Sequence, residues 1–96
     1  MLTNILEKAL AMEADRIEIE YKDDEEMITA FKGDIGFGLG SINQDKSKEL
    51  FDNMKQLKQS KIATLSGEPY RLSFSRYQSF GEWVNCIRWK KEVRPG

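Results

Sequence analysis

Ninety-six residues, 40% hydrophobic and 32% charged, suit a single domain with a modest core and a polar surface. With no histidine, the chain has no His-based catalytic triad and no His-ligated metal; its one cysteine, Cys86, excludes an internal disulfide framework and a cysteine zinc site. Net charge is −1, with six Lys/Arg against eleven Asp/Glu in residues 1–48 and nine against five in residues 49–96. Such a split fits either self-association, a basic partner-binding face or two halves that neutralise each other, and a pI near 5.5 argues against nucleic-acid binding by bulk charge. No run approaches the roughly 20 apolar residues of a membrane span, and the Met-Leu-Thr-Asn start lacks signal-peptide character. The expectation is a cytoplasmic protein without membrane insertion.

Leu2, Ile5, Leu6, Ala9 and Leu10 have the one-sided spacing of an amphipathic helix, with Thr3 as its expected N-cap and an end near 13–15. From Arg16 to Tyr21 the period becomes two: Ile17, Ile19 and Tyr21 alternate with Arg16, Glu18 and Glu20, a strand with one wet face. The acidic run Asp23-Asp24-Glu25-Glu26 reads as a turn into a second strand, Met27 to Phe31 or Lys32. It lacks the alternating ligands and glycine of a calcium loop, so a solvated turn is preferred to a cation site.

Beyond the turn at Lys32-Gly33-Asp34, Ile35, Phe37 and Leu39 interleave with Gly36, Gly38 and Gly40. In a regular strand three glycines would share one face, open to a closely packed helix or backbone. This GxGxG run fits neither a dinucleotide fingerprint nor a P-loop. A second helix is expected after the polar turn 43–47, capped by Asp45 or Ser47, running to about Lys58 with Leu50, Phe51, Met54 and Leu57 as its apolar stripe.

Ile62–Leu65 reads as a short apolar connector, long enough for a brief strand, followed by a turn at 66–69. Two strands joined at Gln78–Gly81 then span Tyr70–Trp89, and they hold both tryptophans and six of the ten aromatic residues. Tyr70, Leu72 and Phe74 share a core face. In the last strand Asn85 falls in line with Trp83, Ile87 and Trp89, so the pattern leaves open which face is buried. Residues 90–96 read as a frayed, charged tail. The expected fold is a single α+β domain over 1–96, in two layers, with a mainly antiparallel five-stranded sheet and two helices in the order α-β-β-β-α-β-β.

Several local signatures resemble the small domain that precedes the motor in the bacterial type II secretion and type IV pilus assembly ATPases. These are Ala14-Asp15-Arg16-Ile17-Glu18-Ile19-Glu20 after the first helix, Phe31-Lys32-Gly33-Asp34-Ile35, Arg71-Leu72-Ser73, and Gly81-Glu82-Trp83-Val84 with Arg88. In that family ATP hydrolysis belongs to the motor domain and its P-loop; these 96 residues contain no GK[ST]. The resemblance implies a non-catalytic accessory domain, with Arg71 as its best match to an arginine that reaches phosphate, and Arg88 as the arginine of its final strand.

The sequence therefore points to a protein-interaction or self-association module: Arg71 and Arg88 are candidate phosphate or partner contacts, and Tyr77, Phe80, Trp83 and Trp89 a candidate partner face. A single-stranded nucleic-acid binder ranks second, with those aromatics stacking beside Arg71, Arg76, Arg88, Lys90 and Lys91. An enzyme ranks last, because no nucleophile sits with a positioned base. No cofactor and no metal are indicated.

Overall fold

The computed structural model describes residues 1–93. Two helices and six strands follow one another as α1 (Leu2–Ala11), β1 (Arg16–Lys22), β2 (Glu25–Lys32), β3 (Ile35–Ile42), α2 (Gln44–Ser60), β4 (Ile62–Leu65), β5 (Glu68–Ser79) and β6 (Glu82–Lys91). Every strand pairing is antiparallel, and the spatial order is β3-β2-β1-β6-β5-β4. The class is α+β, but with six strands rather than five and the order α-β-β-β-α-β-β-β. The additional strand is Ile62–Leu65, whose alternate residues Ala63 and Leu65 are buried. Of the two readings open for this segment, connector or brief strand, the strand is the one that forms; four residues with two inward side chains are too few for periodicity to choose between them.

Tight turns set the registers. Asp23-Asp24, Ser66-Gly67 and Phe80-Gly81 each join two strands with both residues at positive φ, the twist that suits a two-residue hairpin. Only Asp23 and Asp24 of the acidic run are therefore turn residues; Glu25 and Glu26 belong to β2. Gly33 (φ 60) opens the β2–β3 turn, where its N–H donates to Asp15 Oδ2 at 2.7 Å. Asp15 N–H in turn donates to Phe31 O at 2.8 Å, so the α1–β1 connection is pinned to the neighbouring hairpin.

Both helices lie on one face of the sheet. Leu2, Leu6 and Ala9 of α1 and Leu50 and Met54 of α2 pack with Ile17, Ile19, Ile28, Ala30, Ala63, Leu65, Leu72 and Ile87. Helix α1 begins two residues earlier than an N-cap at Thr3 would place it. Met1 is the N-cap and makes no side-chain cap bond; Leu2 N–H donates instead to Asn53 Oδ1 of α2 at 3.1 Å. Helix α2 is capped by Asn43, whose Oδ1 accepts from Lys46 N at 3.2 Å, rather than by Asp45 or Ser47. It ends at Lys61 in the left-handed conformation (φ 59).

The glycine strand departs from simple alternation. Ile28 pairs with Gly40 but Thr29 with Gly38, so Leu39 is an extra, bulged residue beside Gly40 at φ 122. The bulge moves Gly40 to the helix side and leaves Gly36 and Gly38 on the open side. There the glycine serves a side chain rather than a helix: a Cβ on Gly36 would stand 3.0 Å from the Phe31 ring. The expected tail also changes. Strand β6 runs through Lys91, and Glu92 N–H donates to Pro69 O at 3.0 Å, while the tail from residue 94 lies outside the described residues.

Candidate interaction surface

The β5–β6 hairpin is paired over its full length, from Tyr70–Lys91 to Ser79–Glu82. Its outer half extends past the residues that contribute to the core, which in this hairpin end at Phe74 and Ile87. Phe80 occupies the first position of the tip turn at φ 51 and is fully exposed, at 104%. The other non-glycine residues in the two-residue turns with doubly positive φ are Asp23, Asp24 and Ser66, which are small and polar. A bulky aromatic is out of place there, because a left-handed conformation costs a Cβ-bearing residue about 1–2 kcal/mol.

Trp83, next to the tip on the helix-side face, is 47% exposed and lies under Arg76, whose guanidinium carbon is 4.3 Å from the ring. Register accounts for the stack: Gln78 pairs with Trp83 and Arg76 with Asn85, so Arg76 is the diagonal neighbour of Trp83 on one face. Arg76 is thereby held by Trp83, and both stand clear of the core.

Tyr77 points to the opposite, helix-free face. Its hydroxyl donates to the Glu18 carboxylate on β1, reaching over the intervening strand β6. That bond pushes the Tyr77 pKa up to about 12. Beneath the bridge lie Val84 and Cys86, which are buried although no helix or strand among the described residues covers this face. Burial raises the Cys86 thiol pKa. The open question of which face of the last strand is buried has a double answer: Ile87 and Trp89 pack on the helix side, Val84 and Cys86 under Tyr77 and Glu18.

The open face continues as a row across five strands, Gly36, Phe31, Arg16, Arg88 and Ser73. The Arg16 guanidinium stacks 4.6 Å from the Phe31 ring and also bonds Asp15 Oδ1 (2.8 Å), Glu18 Oε2 (3.2 Å) and Gly33 O (3.2 Å). The Asp15 carboxyl is held below its usual range, first by the Gly33 N–H and then by Arg16. Arg88 donates to Cys86 Sγ at 3.3 Å. Arg71, two positions along β5 from the end of this row, forms a two-pronged pair with Glu92 at 3.0 and 2.8 Å. Both candidate phosphate contacts thus have protein partners.

The four candidate aromatics do not make one face. Phe80 is in the tip turn and Trp83 beside it, Tyr77 is on the reverse side, and Trp89 packs against the core at the other end of β6. A continuous stacking platform does not form, and Glu18 and Glu20 lie among the open-face cations. The Arg76–Trp83 stack and the strained position of Phe80 escaped the sequence reading; the phenylalanine immediately before the turn glycine was the available signal for the second. Among the described residues no group of three or more carboxylate or cysteine side chains could hold a metal, and no helix is long and apolar enough to cross a membrane. In comparisons with protein-family models and with characterised proteins, the chain matches none.

Proposed function

We propose that the chain is a non-catalytic protein-interaction or self-association module, whose binding element is the tip of the β5–β6 hairpin. The single observation that carries this reading is Phe80, a fully exposed aromatic in a left-handed turn position that favours asparagine or glycine. A position that sacrifices local stability to display an aromatic ring is explained by a surface the ring meets. Trp83 beneath Arg76 supplies the type of aromatic and arginine pair that anchors protein interfaces. Kinship to the accessory domain of secretion and pilus ATPases belongs to the same proposal. Its support is the likeness of residues 14–20, 31–35, 71–73 and 81–84, of which Asp15, Phe31 and Gly33 meet in one hydrogen-bonded junction.

The test compares wild type with Trp83→Gln. Light scattering reports self-association, and immobilised protein exposed to host lysate reports partners. Wild type should self-associate or retain a specific protein, and the variant should do neither while remaining folded. A wild-type monomer that retains nothing beyond what the variant retains would overturn the reading.

A further inference from the structure

Strand β4 is much shorter than the strand it borders. It pairs with β5 only from Glu68 to Arg71, and Leu72 N–H donates to Lys61 O at 2.8 Å. From Ser73 to Ser79 no strand lies along the outer side of β5 among the described residues. Because Leu72 donates outward, the period of two also turns the backbone N–H and C=O groups of Phe74, Arg76 and Gln78 outward. Strand β5 therefore ends in a ledge of unused strand-pairing groups.

The ledge has a charged wall. Between the end of α2 and β5 opens a cleft of ≈ 480 Å³ lined by Lys58, Lys61, Arg71, Leu72, Ser73 and Phe74; Arg71 is held by Glu92, so Lys58 and Lys61 are the cations that the cleft offers. Lys58 Nζ stands 5.8 Å from the Phe74 ring, and Arg76 continues the positive line toward the tip. A second copy pairing antiparallel about this ledge would bring Arg76 near its own counterpart, a like-charge opposition that disfavours self-pairing. The other sheet edge, β3, bears no charged residue and carries the bulge at Leu39, so it selects no partner chemistry.

We propose that the β5 ledge, Ser73–Ser79, receives an extended acidic segment of a partner protein as an added strand, its carboxylates facing Lys58, Lys61 and Arg76. Main-chain bonds to Phe74, Arg76 and Gln78 supply the pairing, and the cationic wall supplies the selection. The proposal rests on the interaction-module reading and names the partner's chemistry.

The probe is a capped peptide of alternating Glu and Val, matched in length to Ser73–Ser79, titrated against the whole chain and followed by amide NMR. Its control alternates Lys and Val. The acidic peptide should shift the Phe74, Arg76 and Gln78 amides and slow their hydrogen exchange, weakening with salt. Lys58→Glu with Lys61→Asn should weaken it about tenfold, the equivalent of 1.4 kcal/mol. Arg76→Pro removes an outward N–H without touching the ladder to β6 and should abolish binding, whereas Arg76→Gln should retain part of it. Equal binding of the lysine peptide, full binding by Arg76→Pro, or no shift at the ledge would overturn strand addition. So would ledge shifts that grow with protein concentration alone, which mark a second copy. If the ledge fails while Trp83→Gln still abolishes self-association or retention, only strand addition is lost. If the ledge binds while Trp83→Gln changes nothing, the tip reading fails instead.

Discussion

The Tyr77 hydroxyl donates to the Glu18 carboxylate across strand β6 and closes over the free thiol of Cys86. That part of the open sheet face is thereby sealed by side chains of the sheet's own strands. Tyr77→Ser should expose Cys86, raising its labelling rate by a disulfide reagent at least about tenfold, since thiol reactivity follows access and thiolate fraction. Unchanged labelling would mean that other side chains do the covering.

The same bond has a pH signature. Tyr77 keeps its proton in the folded state up to about 12, above the ordinary tyrosine value of about 10. Its contribution to stability is complete below the unfolded value and is lost as pH rises through the folded one. Ultraviolet titration should show one tyrosine ionising near 12, and Glu18→Gln should bring it down. A titration unchanged by Glu18→Gln would contradict the assignment.

Glu26 is buried on the helix side of β2, and loss of hydration raises its carboxyl pKa. A carboxyl raised in the folded state withdraws stability as pH climbs from the unfolded value through the folded one. Glu26→Gln should therefore be more stable than wild type at neutral pH, with the gap closing as pH falls to the ordinary carboxylate value of about 4. Denaturant unfolding at the two pH values measures it; a gap independent of pH would refute the cause.

Two glycines of β3 should respond differently to the same substitution. At Gly36 a methyl group would meet Phe31 at 3.0 Å and Thr29 at 3.2 Å, with the ring held in place by Arg16. Gly36→Ala should cost about 1 kcal/mol. At Gly38 nothing lies within 4 Å, and Gly38→Ala should be neutral or add about 0.5 kcal/mol by restricting the unfolded chain. Equal effects would remove the stacking explanation for Gly36.

Much of the fold was legible because period and turn chemistry agree. Ile17 and Ile19 alternate inward, Leu2, Leu6 and Ala9 recur at helical spacing, and Gly33, Gly67 and Gly81 each mark a hairpin. Three features lay outside that local code. The bulge at Leu39 reverses the faces of β3 and depends on pairing with Ile28 and Thr29. Strand β4 is specified by its neighbours more than by its four residues. The hairpin aromatics stand out in the sequence as a group, but their division among tip, reverse face and core follows from hairpin register: Tyr77 pairs with Val84 and Gln78 with Trp83, which puts Tyr77 and Trp83 on opposite faces, and Trp89, opposite Leu72, packs against the core.

The most direct measurement pairs stability with recognition in one variant, Phe80→Asn. Asparagine followed by Gly81 is the preferred sequence for this turn, so unfolding should show a gain of about 1 kcal/mol. The same variant should lose the self-association or the specific protein that the wild-type chain retains. A variant that is more stable and still self-associates or retains the same protein would contradict the assignment of binding to the hairpin tip.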